Sequence, residues 1–158
     1  MPSPKYFAWL GQAQLTRVLL ANGATVTLRG NVQLTPNQLV PIERVALGGV
    51  GTVRGYRENQ VVSDQGFDAT IEFRYPLVRL PLRSLFLYVI PFMDYGEAWN
   101  QGPSENRQRL WSVGVGLNLE FGGLSAELYY GQRLIQPTVQ TSGSLQDDGI
   151  QFHLIYRF

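Results

Sequence analysis

The residues best suited to specific chemistry are one cation and two anions spread along the chain: Arg54, Glu72 and Asp94. Arg54 stands at the tip of a glycine-rich stretch, Gly48-Gly49-Val50-Gly51-Thr52-Val53-Arg54-Gly55-Tyr56-Arg57, with four glycines in eight positions. Glycine at this density lets a backbone turn tightly and lie against other backbone, at an entropic cost. The stretch is not a phosphate cradle. That motif needs a Lys-Ser/Thr pair opening a helix, and the only lysine is Lys5. Two carboxylates brought together without a cation repel and shift toward protonation; a guanidinium offers a planar fork of donors that satisfies both. The chemistry implied is a charge-paired latch. A solvated hairpin tip, with Glu72 and Asp94 as ordinary polar side chains, is the plainer alternative.

Other constellations are thinner. His153 is the only histidine, Asp147-Asp148 reads as a solvated loop pair, and no Ser/His/Asp arrangement has supporting context. Glu120 and Glu127 flank a tight turn as a glycosidase pair could, but nothing near them builds a sugar cleft. Cysteine is absent, which excludes disulfides and thiolate metal sites. The expectation is a protein that is not an enzyme, with no cofactor and no metal. Thirteen basic against twelve acidic residues give a formal charge of +1, which makes no case for nucleic acid. Twelve of the basic residues are arginine, favouring planar, bidentate partners.

The elements that must carry these residues are strands. Period-two alternation recurs seven times, over 6–19, 25–34, 67–77, 85–99, 109–121, 124–134 and 149–158. The fifth run is the cleanest: Trp111, Val113, Val115, Leu117, Leu119 and Phe121 alternate with Ser112, Gly114, Gly116, Asn118 and Glu120. Asn22-Gly23 and Gly122-Gly123 mark tight turns, and Pro76 and Pro81 bracket a short connection. No helical period and no second composition zone is present, so 1–158 reads as one all-β domain of sequentially joined antiparallel strands. The connections alternate in length: short, very long (about 35–66), short, medium, two residues, medium.

That alternation, with strands of ~10 residues, matches a transmembrane barrel with short turns at one end and longer loops at the other. The polar faces carry Ser112, Gly114, Gly116, Asn118, Ser125 and Gly131, small residues that suit a lumen with room for something else. Tyr95, Trp99 and Trp111 fall near the same end of adjacent strands, as an interfacial aromatic girdle would. By parity Glu72 and Asp94 both point into that lumen. No apolar run approaches the ~20 residues of a membrane helix. No signal peptide is visible, so export implies that the chain is part of something longer. A soluble β-barrel or sandwich binding module remains the reading of another class.

Several motifs together resemble a known family: Gly48-Gly49-x-x-x-Val53-Arg54-Gly55-Tyr56, Asp64-x-Gly66, Glu72-Phe73-Arg74-Tyr75-Pro76 and Phe92-x-Asp94-x-Gly96. They resemble the C-terminal barrel portion of two-partner-secretion outer-membrane transporters of the ShlB/FhaC/HecB type, relatives of the BamA-type barrel-assembly insertases. Tyr56 and the short Asp64-Gln65-Gly66 lead into the next strand favour the secretion branch over the insertase alternative. The resemblance implies a Gram-negative outer-membrane pore that passes an unfolded, haemagglutinin- or haemolysin-like exoprotein. Outer-membrane lipid and the barrel-assembly machinery are the other implied partners. It also implies a sixteen-stranded barrel behind POTRA domains, of which this chain supplies about seven strands as a curved open sheet. The long loop would fold toward the lumen as a lid, its tip Val53, Arg54, Gly55 and Tyr56 lying against Glu72, Phe92, Asp94 and Gly96. Finally, Phe152, Leu154, Tyr156 and Phe158 share one face and resemble the insertion signal of such barrels.

Overall fold

The computed structural model describes residues 5–102, 106–137 and 143–157. Among these described residues nine strands form: β1 Trp9–Val18, β2 Thr25–Leu34, β3 Val45–Leu47, β4 Val61–Ser63, β5 Gln65–Leu80, β6 Leu85–Trp99, β7 Gln108–Phe121, β8 Leu124–Arg133 and β9 Ile150–Tyr156. Seven of them make one antiparallel sheet in the order β1-β2-β5-β6-β7-β8-β9, with neither edge paired to the other. The expected all-β, sequentially joined, open sheet is therefore what forms.

Two local expectations are corrected. The long loop is not free of regular structure, because β3 and β4 pair within it as a separate two-stranded sheet, Val45 opposite Ser63 and Leu47 opposite Val61. Three-residue strands give too little alternation to stand out in a glycine-rich run. The loop also ends earlier than 66, since Gln65 and Gly66 already pair with Trp99 and Ala98. Further along, Pro76 does not open a connection. Strand β5 continues through it to Leu80, with a register shift between Pro76 and Val78. Proline has no N–H to give a ladder, and a bulge is where a strand tolerates it.

The sheet is apolar on its outside. Leu15, Leu28, Ile71, Met93, Val115, Leu117 and Leu128 are all exposed. In a soluble sandwich, residues of this kind would be the packed core. The buried cluster lies on the other face instead. There Leu47, Val53, Tyr56 and Val61 of the loop pack with Ala98 of β6 and Leu110 of β7. The longer connections, 35–64, 100–107 and 134–149, share one end, and the short ones, 19–24, 81–84 and 122–123, share the other. Among the described residues no helix is long and apolar enough to cross a membrane, which does not bear on strands.

Candidate functional site

Register builds the floor of the site. Thr70, Asp94, Ser112 and Arg133 lie side by side across β5, β6, β7 and β8. The next row on the same face is Glu72, Phe92, Gly114 and Gly131. The loop 35–64 leaves the long-connection end and returns over this face, with Arg54 on Asp94. The Arg54 guanidinium donates from Nε to Asp94 Oδ2 at 2.8 Å and from Nη2 to Oδ1 at 2.8 Å. Its third nitrogen, Nη1, donates to Glu72 Oε2 at 2.9 Å. The Arg54 backbone N–H donates to Asp94 Oδ2 as well, at 3.0 Å. One aspartate thus holds both the side chain and the main chain of the tip.

The pair is dry at its centre and wet at its margin. Side-chain exposure is 3% for Arg54, zero for Asp94 and 29% for Glu72. Phe92 supplies a further face to the cation, its ring centroid 3.7 Å from Arg54 Cζ, with Tyr129 at 5.1 Å. A guanidinium over a desolvated ring gains electrostatically from the ring quadrupole. Burial works against the arginine's charge, but the hydrogen bonds and charges of Asp94 and Glu72 outweigh it, so its pKa is raised.

Glycine sets the remaining geometry. Gly55 has φ +88°, and a Cβ placed there would lie 2.6 Å from Gly131 O. The reverse also holds: a Cβ on Gly131 would lie 2.7 Å from Gly55 Cα. Two backbones are in contact with no side chain between them, which only this residue type permits. Gly114 leaves room for the Phe92 ring, and Gly96 for Val53 and Leu47. The small residues of the polar face thus receive the loop and the rings beneath it.

Tyr56 closes the far side. It is fully buried, and its hydroxyl accepts the Trp111 N–H at 3.0 Å while lying 2.6 Å from the Ile135 carbonyl oxygen. It thereby occupies the point where β7 and β8 cease to pair beyond Ser112 and Arg133. Burial raises its pKa above the ordinary 10.0, against the lowering effect of those backbone contacts. Gln151 of β9 donates to the Tyr56 carbonyl at 3.0 Å. Residues 54–56 therefore touch β5, β6, β7, β8 and β9 in succession, and the sheet must wrap around them.

The structure thus brings Val53, Arg54, Gly55 and Tyr56 together with Glu72, Phe92, Asp94 and Gly96. It places Phe152, Leu154 and Tyr156 elsewhere, on the exposed face of β9; Phe158 lies outside the described residues. Sequence reasoning missed several partners. Gly131 and Gln151 carry no recognisable chemistry on their own. Arg133 donates to Gly55 O at 2.6 Å and to the carbonyls of Gln146 and Asp147 at 2.8 and 2.5 Å, tying the tip to the 134–149 connection. Asp147 is not the solvated loop residue expected. Its side chain is 7% exposed and pairs with Arg57 at 2.6 Å, a contact across 90 residues that local pattern does not reveal. Asp64 anchors the loop's base, accepting from the N–H groups of Leu39 and Gln101 at 2.9 and 3.0 Å.

Nearer the short turns, Glu120 and Glu127 belong to a structural network. Arg74 Nη2 donates to Glu120 and Asn118 at 2.6 and 2.8 Å, and Asn118 donates to Glu127 at 3.1 Å.

No curated protein sequence matches the chain. In fold it is similar to CdiB from Escherichia coli, with a TM-score of 0.78 at 21% identity. The similarity covers 97% of this chain and 27% of that one, so the chain spans about a quarter of the length of the structure it matches. The sequence model of the haemolysin secretion/activation proteins ShlB/FhaC/HecB matches residues 2–119, three-quarters of the chain and all of the Arg54, Glu72 and Asp94 motifs; the chain belongs to that family.

Proposed function

We propose that this chain is part of an outer-membrane pore that passes an unfolded haemagglutinin- or haemolysin-like exoprotein to the cell surface, with the loop of about 35–64 as its lid. The observation that carries the reading is the Arg54 tip held on the polar face by Asp94 and Glu72, within a chain of a secretion family. A polar face that receives a loop, behind an apolar face with no packing partner, suits a lumen and a lipid surface respectively. The lid occupies space that a translocating chain would need, so passage requires the tip to leave Asp94. Desolvated charge makes that a step with a real barrier. Outer-membrane lipid covers the exposed apolar belt. The barrel-assembly machinery reads the alternating run Phe152, Leu154, Tyr156 and Phe158 during insertion.

The test is secretion by the full-length protein. Expressed with a haemagglutinin- or haemolysin-like exoprotein, the protein should release that exoprotein into the medium. Arg54→Ala should impair release while leaving the amount of inserted barrel largely unchanged. Undiminished release would count against the lid. A defect in the assembly of other outer-membrane barrels, with release intact, would point to an insertase instead.

A further inference from the structure

Among the described residues, four buried side-chain atoms have no hydrogen-bond partner: Arg29 Nε, Ser63 Oγ, Thr70 Oγ1 and Ser112 Oγ. Ser63 belongs to the loop. The other three stand in a single row across the sheet, which runs Arg29, Thr70, Asp94, Ser112 on β2, β5, β6 and β7. Asp94 sits between the two hydroxyls, directly opposite each of them. Thr70 is 4% exposed and Ser112 zero, so solvent does not serve them while the tip is docked. A buried hydroxyl without a partner is costly, and native chains leave few of them. Two of them flanking one buried carboxylate call for a physical cause.

The cause lies in what that carboxylate is already doing. Asp94 Oδ2 accepts from the Arg54 backbone N–H and from its Nε, and Oδ1 accepts from Nη2. The tip therefore takes most of the roughly four acceptor positions that a carboxylate has. Directly opposed residues on paired strands carry their Cβ atoms about 5 Å apart. At that spacing a change of χ1 rotamer brings either hydroxyl within reach of the neighbouring carboxylate. Arg29 starts two strands from Asp94, ~10 Å away at the Cα, a span that an extended arginine and an aspartate cover together.

We propose that Thr70 and Ser112, with Arg29 behind Thr70, are a second set of partners for Asp94, engaged when the tip withdraws. The proposal rests on the lid reading above. With the tip docked, these donors are left over; in the open pore they hold the carboxylate that Arg54 has released. The lid is then balanced between two hydrogen-bonded arrangements of Asp94, rather than held against a bare charge. Thr70, Ser112 and Arg29 are positioning residues of the opening step, and their loss should favour closure. A docked lid forfeits nothing when an unpaired hydroxyl is removed, whereas the open pore loses a hydrogen bond. Hydroxyls that merely supported the docked tip would loosen it on removal, so the two roles differ in sign.

The experiment uses the full-length protein in detergent, with hydrogen exchange of the loop-tip amides reading how often the tip comes free. Thr70→Val and Ser112→Ala together should slow that exchange about tenfold, the scale of one or two net hydrogen bonds. Ser112→Ala alone should slow it about threefold, and it decides the sign if the double variant does not insert. Thr70→Ser, which keeps the hydroxyl, should match the unaltered protein. Arg29→Gln should act in the same direction as the hydroxyl variants. Unchanged or faster exchange in Ser112→Ala and Thr70→Val would overturn the proposal. Release of the exoprotein separates this result from the lid reading. Slower exchange with undiminished release upholds the second set and refutes the lid as the gate. Unchanged exchange, with Arg54→Ala still impairing release, refutes the second set alone.

Discussion

Two arginine–aspartate pairs hold the same loop three residues apart, and they differ in what surrounds them. Arg54 meets Asp94 through two side-chain donors and its own backbone N–H, under Phe92, with both side chains nearly inaccessible. Arg57 meets Asp147 through two donors of equally short length, 2.6 and 2.9 Å, but with 36% of its side chain in solvent. Bond length does not separate these pairs; burial does. A buried charge that loses its partner has no water to replace it, whereas an exposed one is rehydrated and screened. The inner pair should therefore act as the lock, and the outer as a guide that aligns the loop with the 134–149 connection.

The sharpest way to break that contrast is to remove one inner partner. Asp94→Ala in the full-length protein should cost the docked loop ~3–5 kcal/mol, the usual penalty for orphaning half of a buried pair. Hydrogen exchange of the loop amides should report it directly. Glu72→Gln should cost clearly less, because that carboxylate is partly hydrated. Gly131→Val should come next, at ~1–3 kcal/mol, since added methyls would press on the Gly55 backbone. Protease nicking near Arg54 should rise accordingly. Tyr56→Phe should lose about 2 kcal/mol, the net worth of two hydrogen bonds, seen as a rise in exchange at the Trp111 amide. Smallest of all, Asp147→Asn should leave nicking at the tip nearly unchanged. Raising salt from about 0.1 to 1 M, which shortens the Debye length from ~10 to ~3 Å, should mimic that substitution and leave the inner pair intact.

What the sequence discloses follows the same division between local and distant causes. The seven sheet strands are legible because each is long enough for alternation to repeat, and Trp111 to Phe121 is the plainest case. Strands β3 and β4 escape notice at three residues each. Pro76 misleads because a proline reads as a break until a bulge is seen to absorb it. In the site, Arg54, Glu72 and Asp94 announce themselves by charge and parity. Gly131 does not, because its contribution is the absence of a side chain beneath Gly55. Asp147 does not because its partner lies 90 residues away and on no shared strand.

The central claim is that Arg54 and Asp94 act as one unit in holding the loop. A double-mutant cycle tests it most directly, with Arg54→Ala, Asp94→Ala and the combination compared by hydrogen exchange of the loop in the full-length protein. The account predicts that the double variant loses clearly less than the sum of the two single ones, with a coupling energy of ~2–3 kcal/mol, at the upper end for contacting residues. Strictly additive effects, with no coupling between positions 54 and 94, would contradict it.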